Sequence, residues 1–354
     1  MLVTILALFL FIQLLYLISY KRNFNTKSIN DILSFIIFLF LIVLFFFRNE
    51  DFGADTQNYL NEFDEYCSNP SGYIGVDYTY KYIFDLINFL MLDSCHISWL
   101  IWIWPIFVIG CIFSAITIFR VDKIYIIALF SSFIGIELLT NALRQGFSIA
   151  VLLLSFCLFI KRRYFLFLIA VTISFLFHQA SILIVSIFII SRCSIRIVVP
   201  GIVVGVFLLF ATNILDVVPW VIEFKKLIYK YLPYADEDFI IRIISIINTL
   251  CLCVLYLIVM IKSHCKDKII YNIVINATFV CCIASIVPYL GFRIIYGVYP
   301  LLLLLTYCSI RNYIGRVSSY NYLSLSICIN IFISIMWLCG SSHMNKIPFV
   351  SIII

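Results

Sequence analysis

Residues 141–163 read NALRQGFSIAVLLLSFCLFIKRR. From Gly146 to Ile160 no residue carries a charge, and three consecutive basic residues, Lys161–Arg163, close the run. A helix opening at Leu143 and ending at Ile160 is near the length of about 20 residues that crosses a bilayer core. Basic residues gather on the cytoplasmic side of such helices, so the Lys161–Arg163 end reads as inside and Arg144 as lying at the outside mouth. A cation in the first turn of a helix opposes the macrodipole, which favours anions there. Arg144 therefore runs against the charge bias of the membrane and the dipole of its own helix together. An anion held jointly by Arg144 and the exposed first-turn N–H groups resolves both conflicts.

The pattern extends in both directions. Fifteen of the 24 Lys and Arg residues fall into six clusters: Lys21/Arg22/Lys27, Arg120/Lys123, Lys161–Arg163, Arg192/Arg196, Lys262/Lys266/Lys268 and Arg311/Arg316. Apolar stretches separate them over about 2–19, 32–47, 98–119, 124–140, 143–160, 164–177, 179–191, 197–213, 242–261, 269–289, 294–310 and 320–338. With the N-terminus outside, every cluster falls on the cytoplasmic side. That side carries 15 basic and 3 acidic residues, and the other side 9 basic and 15 acidic. At 64% hydrophobic residues, 12% charged and a mean hydropathy of +1.13, the chain reads as an all-α polytopic membrane protein of about 10–12 transmembrane helices, a single integral domain over 1–354. Runs such as Leu2–Ile18 and Leu301–Leu305 lack the alternation of a β-barrel. The N-terminus has no basic n-region and no small-residue cleavage site before Lys21, so it reads as the first membrane helix and not as a signal peptide. An overall negative outer face excludes nucleic acid as a sensible partner.

Residues 164–191 do not fit one straight crossing, because Arg163 and Arg192 place both ends inside. Two helices of about 14 residues each would span only about 21 Å, short of the ~30 Å core. A re-entrant or strongly tilted hairpin bending near His178 is the reading that fits, and irregular backbone at such depth needs protein or a wet cavity around it.

Two larger segments lie outside, 48–97 and 214–241. The first carries nine acidic and two basic residues, a turn at Asn69-Pro70-Ser71-Gly72, and an aromatic stretch, Tyr78–Leu92, that reads as an interfacial helix. Its beginning, Arg48-Asn-Glu-Asp-Phe-Gly-Ala-Asp55-Thr-Gln-Asn-Tyr59, packs an Arg, a Gly and three acids at a membrane mouth. Such a segment suits a sugar or phosphate site, with a solvated acidic loop as the plain alternative. A Cys67–Cys95 disulfide is open to an oxidising outer compartment, but free thiols are the favoured reading. The remaining cysteines behave as small hydrophobes and lack the spacing of a zinc site. Neither a metal nor an organic cofactor is called for.

Arg48, Arg242 and Arg293 join Arg144 on the outside face. Arg293, in Pro288-Tyr-Leu-Gly-Phe-Arg-Ile-Ile-Tyr296, reads as a helix start like Arg144; Arg242 follows Asp236, Glu237 and Asp238, so a salt bridge rivals a binding role. His178, in Phe175-Leu-Phe-His-Gln-Ala-Ser181, is the one histidine embedded in a long apolar run. An intramembrane ionisable group is a functional candidate by default, and imidazole can serve as acid or base; a structural histidine at the bend is nearly as well supported. Glu137 is a further outer carboxylate and a natural partner for Arg144. No P-loop, dinucleotide fingerprint, HExxH or GxSxG occurs, which argues against nucleotide-driven transport and the common hydrolases.

At these residues the chain resembles the EpsG-like branch of the Wzy-type polysaccharide polymerases. The resemblance rests on Arg48 followed by Gly53-Ala-Asp55 and Tyr59, on Leu143-Arg144-Gln145, on Phe177-His178 with Ser181, and more loosely on Arg293-x-x-Tyr296, all in the family's order. It implies a GT-C-like membrane glycosyltransferase of the bacterial inner membrane with its active face periplasmic. Such an enzyme joins undecaprenyl-pyrophosphate-linked repeat units into O-antigen or exopolysaccharide, without a nucleotide-sugar donor. The roles implied are pyrophosphate binding by Arg144 and Arg293, a base or acceptor-orienting role for His178 or Asp55, and sugar or phosphate contacts from Gln145, Arg48, Arg242, Tyr59 and Tyr296. The partners implied are undecaprenyl-pyrophosphate-linked glycans, with a chain-length regulator in the same membrane as a further candidate. An O-antigen ligase shares the lipid-pyrophosphate chemistry. A lipid-linked oligosaccharide flippase would instead want a cavity open to both sides and often internal repeats, and a membrane acyltransferase would place its His and Arg differently.

Overall fold

The structure is a computed structural model that describes residues 32, 35, 36, 39, 56–73, 78–90, 95, 98–119, 121, 124–130, 132–140, 143–178, 181–190, 193, 196–198, 200–201, 247, 268–284, 288–313, 325 and 328–329. Among them all regular structure is helical. We number the helices α1 (Thr56–Ser68), α2 (Tyr78–Leu90), α3 (Ser98–Phe119), α4 (Ile124–Phe130), α5 (Phe133–Thr140), α6 (Leu143–Ile160), α7 (Tyr164–Phe177), α8 (Ser181–Ile190), α9 (Lys268–Ala284) and α10 (Pro288–Tyr313). Two compact units are formed, one from Met1–Ser181 with Ser342–Ile354 and the other from Ile182–Ser341. Among the described residues, no helix is long and apolar enough to cross a membrane.

In the first unit α6 is the central helix, packed by α3, α5 and α7. Its side chains from Ile149 to Phe159 are almost all buried, as expected of a helix apolar around its whole circumference. On α3 the buried positions Val108, Ile109, Ile112, Ala115 and Ile116 recur at helical spacing and face α6; Phe119 stacks on Phe156 with centroids 5.7 Å apart. The Cys157 thiol lies 3.5 Å from the Ala115 carbonyl. By contrast α7 is one-sided. Phe167, Ala170 and Ser174 are buried, while Phe165, Leu168, Ile169, Ile173 and Leu176 are exposed.

The stretch 124–140 is two helices where one crossing was expected. Ser132 interrupts it: its hydroxyl accepts the Gly135 N–H at 3.1 Å, the bond an N-cap serine makes to the third helical residue, and such a cap contributes about 1 kcal/mol. A Cβ on Gly135 would lie 2.0 Å from the Leu129 carbonyl oxygen, so the tight passage from α4 to α5 needs glycine there.

Between α6 and α7 the chain reverses within Lys161–Arg163. The Arg163 N–H bonds the Leu158 carbonyl (2.9 Å) and the Arg162 N–H the Phe159 carbonyl (3.0 Å), with Arg162 left-handed at φ 59°. This is the paired hydrogen-bond pattern that ends many helices, normally with glycine at the left-handed position. Here an arginine occupies it, against a steric cost of about 1–2 kcal/mol, and so adds a third cation at the negative end of the α6 dipole.

Within the outer segment 48–97, residues 56–68 form a helix, α1. Leu60, Phe63 and Tyr66 recur on its inner face and are buried. They pack against Phe84 of α2 (Phe63–Phe84, 5.0 Å; Tyr66–Phe84, 5.4 Å) and against Tyr73 (5.7 Å from Tyr66). The turn at residues 69–72 forms as expected: Asn69 Oδ1 accepts the Gly72 N–H at 3.1 Å. The favoured reading of Cys67 and Cys95 as free thiols is corrected, since they form a disulfide with Cα atoms 5.9 Å apart. Sequence spacing carries no information on that distance; the α1–α2 packing creates it.

In the second unit α9 packs on α10. Asn272 and Asn276, one turn apart on α9, donate through Nδ2 to the Cys193 (3.3 Å) and Ile190 (3.4 Å) carbonyls. Ile190 ends α8, where carbonyls have no intrahelical donor; its oxygen also accepts the Cys193 N–H at 2.8 Å, and the two asparagines tie this end of the helix to α9.

Candidate functional site

Packing between α6 and α7 fixes the candidate site. Ser148 and Ser174, both fully buried, form a reciprocal clasp. The Ser148 hydroxyl donates to the Ser174 carbonyl (2.9 Å) and the Ser174 hydroxyl to the Ser148 carbonyl (2.9 Å), with the two oxygens 2.8 Å apart. The Ser174 carbonyl also accepts the N–H of His178 at 3.0 Å. Each hydroxyl proton thus has an acceptor on the neighbouring helix, which keeps buried polar atoms satisfied in apolar surroundings.

The clasp sets the register of everything beyond it. One helical turn, 3.6 residues, before Ser148 lie Arg144 and Gln145; one turn after Ser174 lies His178. The first turn of α6 and the end of α7 therefore stand at the same level. Phe147 and Phe177, next to these residues, touch at a centroid distance of 4.2 Å. Trp104 of α3 closes on both, 5.5 Å from Phe147 and 5.7 Å from Phe177. Three aromatic rings thus pack at the level of the α6 start and the α7 end, the level at which Arg144, Gln145 and His178 lie. All three are half-buried.

Backbone geometry explains why Arg144 can sit where it does. A Cβ on Gly146 would lie 1.8 Å from the Leu138 carbonyl oxygen, so the first turn of α6 presses directly on the end of α5. Arg144 is the second residue of α6, where amide N–H groups lack intrahelical acceptors and the positive end of the dipole lies. His178 caps α7 in extended conformation (φ −156°, ψ 107°), and its carbonyl accepts the Ser181 N–H at 3.0 Å. The helix break expected near His178 is therefore present. The Ser181 hydroxyl is buried and has no hydrogen-bond partner among the described residues, three residues beyond His178.

The remaining sequence candidates are distributed as follows. Tyr59 lies on α1, half-buried. Tyr296 is buried on α10. Arg293 is the sixth residue of α10, because that helix opens at Pro288, a residue suited to the first helical position. It is thus beyond the first turn, and the dipole argument that holds for Arg144 does not carry over to it. Arg48, Asp55 and Arg242 lie outside the described residues, as does the side chain of Glu137. Ser148, Ser174 and Trp104 were not candidates. The serines are spaced i, i+4 from Arg144 and His178, which was the available signal, but a serine in an apolar run is usually just a helix residue bonded to its own backbone.

No curated protein and no solved structure matches the chain. The model of the EpsG family matches residues 31–351, nearly its whole length. With the helical architecture and the Arg144–His178 arrangement in place, the chain belongs to the EpsG family, whose members are Wzy-type polymerases.

Proposed function

We infer that this chain polymerises undecaprenyl-pyrophosphate-linked oligosaccharide repeat units into O-antigen or exopolysaccharide at the outer face of the bacterial inner membrane. The observation that carries the reading is the shared level of Arg144 and His178, set by the Ser148–Ser174 clasp. A cation at a helix N-terminus is suited to a pyrophosphate anion. A histidine beside it is suited to proton transfer.

In the reaction, a hydroxyl of the incoming repeat unit attacks the anomeric carbon of the growing chain. The new glycosidic bond forms as the bond to undecaprenyl pyrophosphate breaks, and the acceptor proton leaves to a base. Arg144 and the α6 amides stabilise the leaving pyrophosphate. His178 takes or relays the proton, with Asp55 as the alternative base. The family resemblance also offers Arg48, Arg242 and Arg293 for phosphate and Gln145, Tyr59 and Tyr296 for sugar.

Membrane embedding is part of the same proposal. In sequence, 98–119 carries no charged residue. The exposed face of α7 is apolar apart from Thr172, whose hydroxyl donates to the Leu168 carbonyl of its own helix at 3.0 Å, and in water it would be an unusually large hydrophobic patch. A disulfide between Cys67 and Cys95 suits an oxidising compartment and so supports the outside assignment of 48–97. Cells lacking the protein are expected to make glycan of one repeat unit in place of a ladder. A retained ladder rejects the polymerase reading, and glycan entirely absent from lipid A core favours the ligase.

A further inference from the structure

Helix α2 has three distinct sides. At about 100° per residue, Ile83, Phe84 and Ile87 point one way and are buried toward α1. Lys81, Asp85 and Asn88 form a polar side. Tyr82, Leu86, Phe89 and Leu90 form a third side, apolar and exposed, with Tyr82 73% and Phe89 76% accessible. The core of the α1–α2 pair is therefore complete without this stripe, which has a tyrosine at its start and large aliphatic and aromatic groups beyond.

The chain also fixes where the stripe is held. Cys67, at the end of α1, is bonded to Cys95, and Cys95 precedes α3 by three residues, about 10 Å of extended chain. The start of α3 carries Trp99 and Trp102 within its first five residues, followed by apolar sequence without charge; Trp104, two residues on, is buried against Phe147 and Phe177 and is not counted with them. Clustered tryptophans at the end of an apolar helix mark the membrane–water interface. The disulfide thus ties α1–α2 to the level of that interface.

We propose that the disulfide-closed α1–α2 element is a membrane-surface cap, seated on the lipid of the outer leaflet through the Tyr82, Leu86, Phe89 and Leu90 stripe of α2. An amphipathic helix of this kind lies in the plane of the interface with its apolar side among the acyl chains. The exposed polar residues of α1, Gln57, Asn58, Asn61, Asp64 and Glu65, are then carried at the bilayer surface, where the lipid-linked glycan would pass. The proposal rests on the membrane reading above but not on the polymerase chemistry.

The test uses the full chain reconstituted in lipid nanodiscs, with a photo-activatable phenylalanine derivative placed singly at Phe89, at Asp64 on the polar side of α1, and at Phe165 on the exposed face of α7. Mass spectrometry after irradiation reads the adduct. Lipid adduct at position 89 at least about ten times that at position 64, comparable with position 165, is the expected result. Adduct to protein at position 89, or lipid adduct no higher than at position 64 while position 165 labels, overturns the proposal. Absence of lipid adduct at both 89 and 165 rejects the membrane reading beneath it.

Discussion

The Ser148–Ser174 clasp makes a quantitative prediction. Ser148→Ala removes one donated hydrogen bond, but the Ser174 carbonyl keeps the His178 N–H, so no acceptor is orphaned. Ser174→Ala removes the reciprocal bond, and the Ser148 carbonyl retains its place in the α6 ladder. Each variant should therefore lose about 0.5–1.5 kcal/mol, toward the lower end because side-chain hydrogen bonds between membrane helices average about 0.6 kcal/mol. The two hydroxyl oxygens are 2.8 Å apart, so the losses are not independent. The double variant should lose less than the sum of the singles, with a coupling of about 0.5 kcal/mol or more. Reversible unfolding of the four proteins in bicelles supplies the cycle. Activity should fall further than stability, because the clasp holds Arg144 and His178 at one level. Additivity within about 0.3 kcal/mol, or full activity in both single variants, refutes the clasp as the element that sets this register.

Other expectations follow from single features. Gly146→Ala should destabilise by more than about 1–3 kcal/mol, because the new Cβ meets the Leu138 carbonyl at 1.8 Å, whereas Gly110→Ala, with open space around it inside α3, should stabilise by about 0.5–1 kcal/mol; thermal unfolding of both decides. Arg162→Gly should stabilise by about 1 kcal/mol by relieving the left-handed strain at φ 59°, read by the same assay. Cys67→Ser opens a loop with a sequence separation of 28 and should cost about 3–4 kcal/mol in the chain-entropy account, seen as early proteolysis of 56–95. Burial, and then the hydrogen bond and charge of Glu62 with Glu65 beyond, raise the Tyr73 phenol well above its usual 10. Its folded-state value lies above the unfolded one, so its contribution is complete below pH about 10 and is lost as pH rises beyond. Tyr73→Phe should remove that alkaline sensitivity of the α1–α2 element; an unchanged profile contradicts it.

The boundaries of α3, α6 and α7 were legible because each is an apolar run with basic residues against one end, and 98–119, 143–160 and 164–177 match their helices to the residue. The break at His178 was legible from charge parity alone. Less was visible where local chemistry competes with hydropathy. The Ser132 cap divides a continuous apolar stretch, and hydropathy does not register one hydroxyl. Helix α1 was hidden by its acids, although Leu60, Phe63 and Tyr66 already carried helical spacing. Of the site, Arg144 was legible because it breaks two electrostatic preferences at once, and the helix start confirms its position. Its proximity in level to His178 was not, since that depends on where two serines cross between helices. Arg293 shows the converse: a helix opening six residues earlier than its apolar run suggested removes the argument made from position.

Reconstitution measures the proposed transfer reaction without intermediary. Purified protein in liposomes, supplied with one undecaprenyl-pyrophosphate-linked repeat unit and no nucleotide sugar, should produce a ladder of lipid-linked oligomers. One undecaprenyl pyrophosphate should be released for each linkage. Arg144→Lys should slow it markedly, because a point charge does not replace a guanidinium fork on pyrophosphate. A ladder that requires a nucleotide sugar, or an Arg144→Lys protein as fast as the parent, would contradict the account.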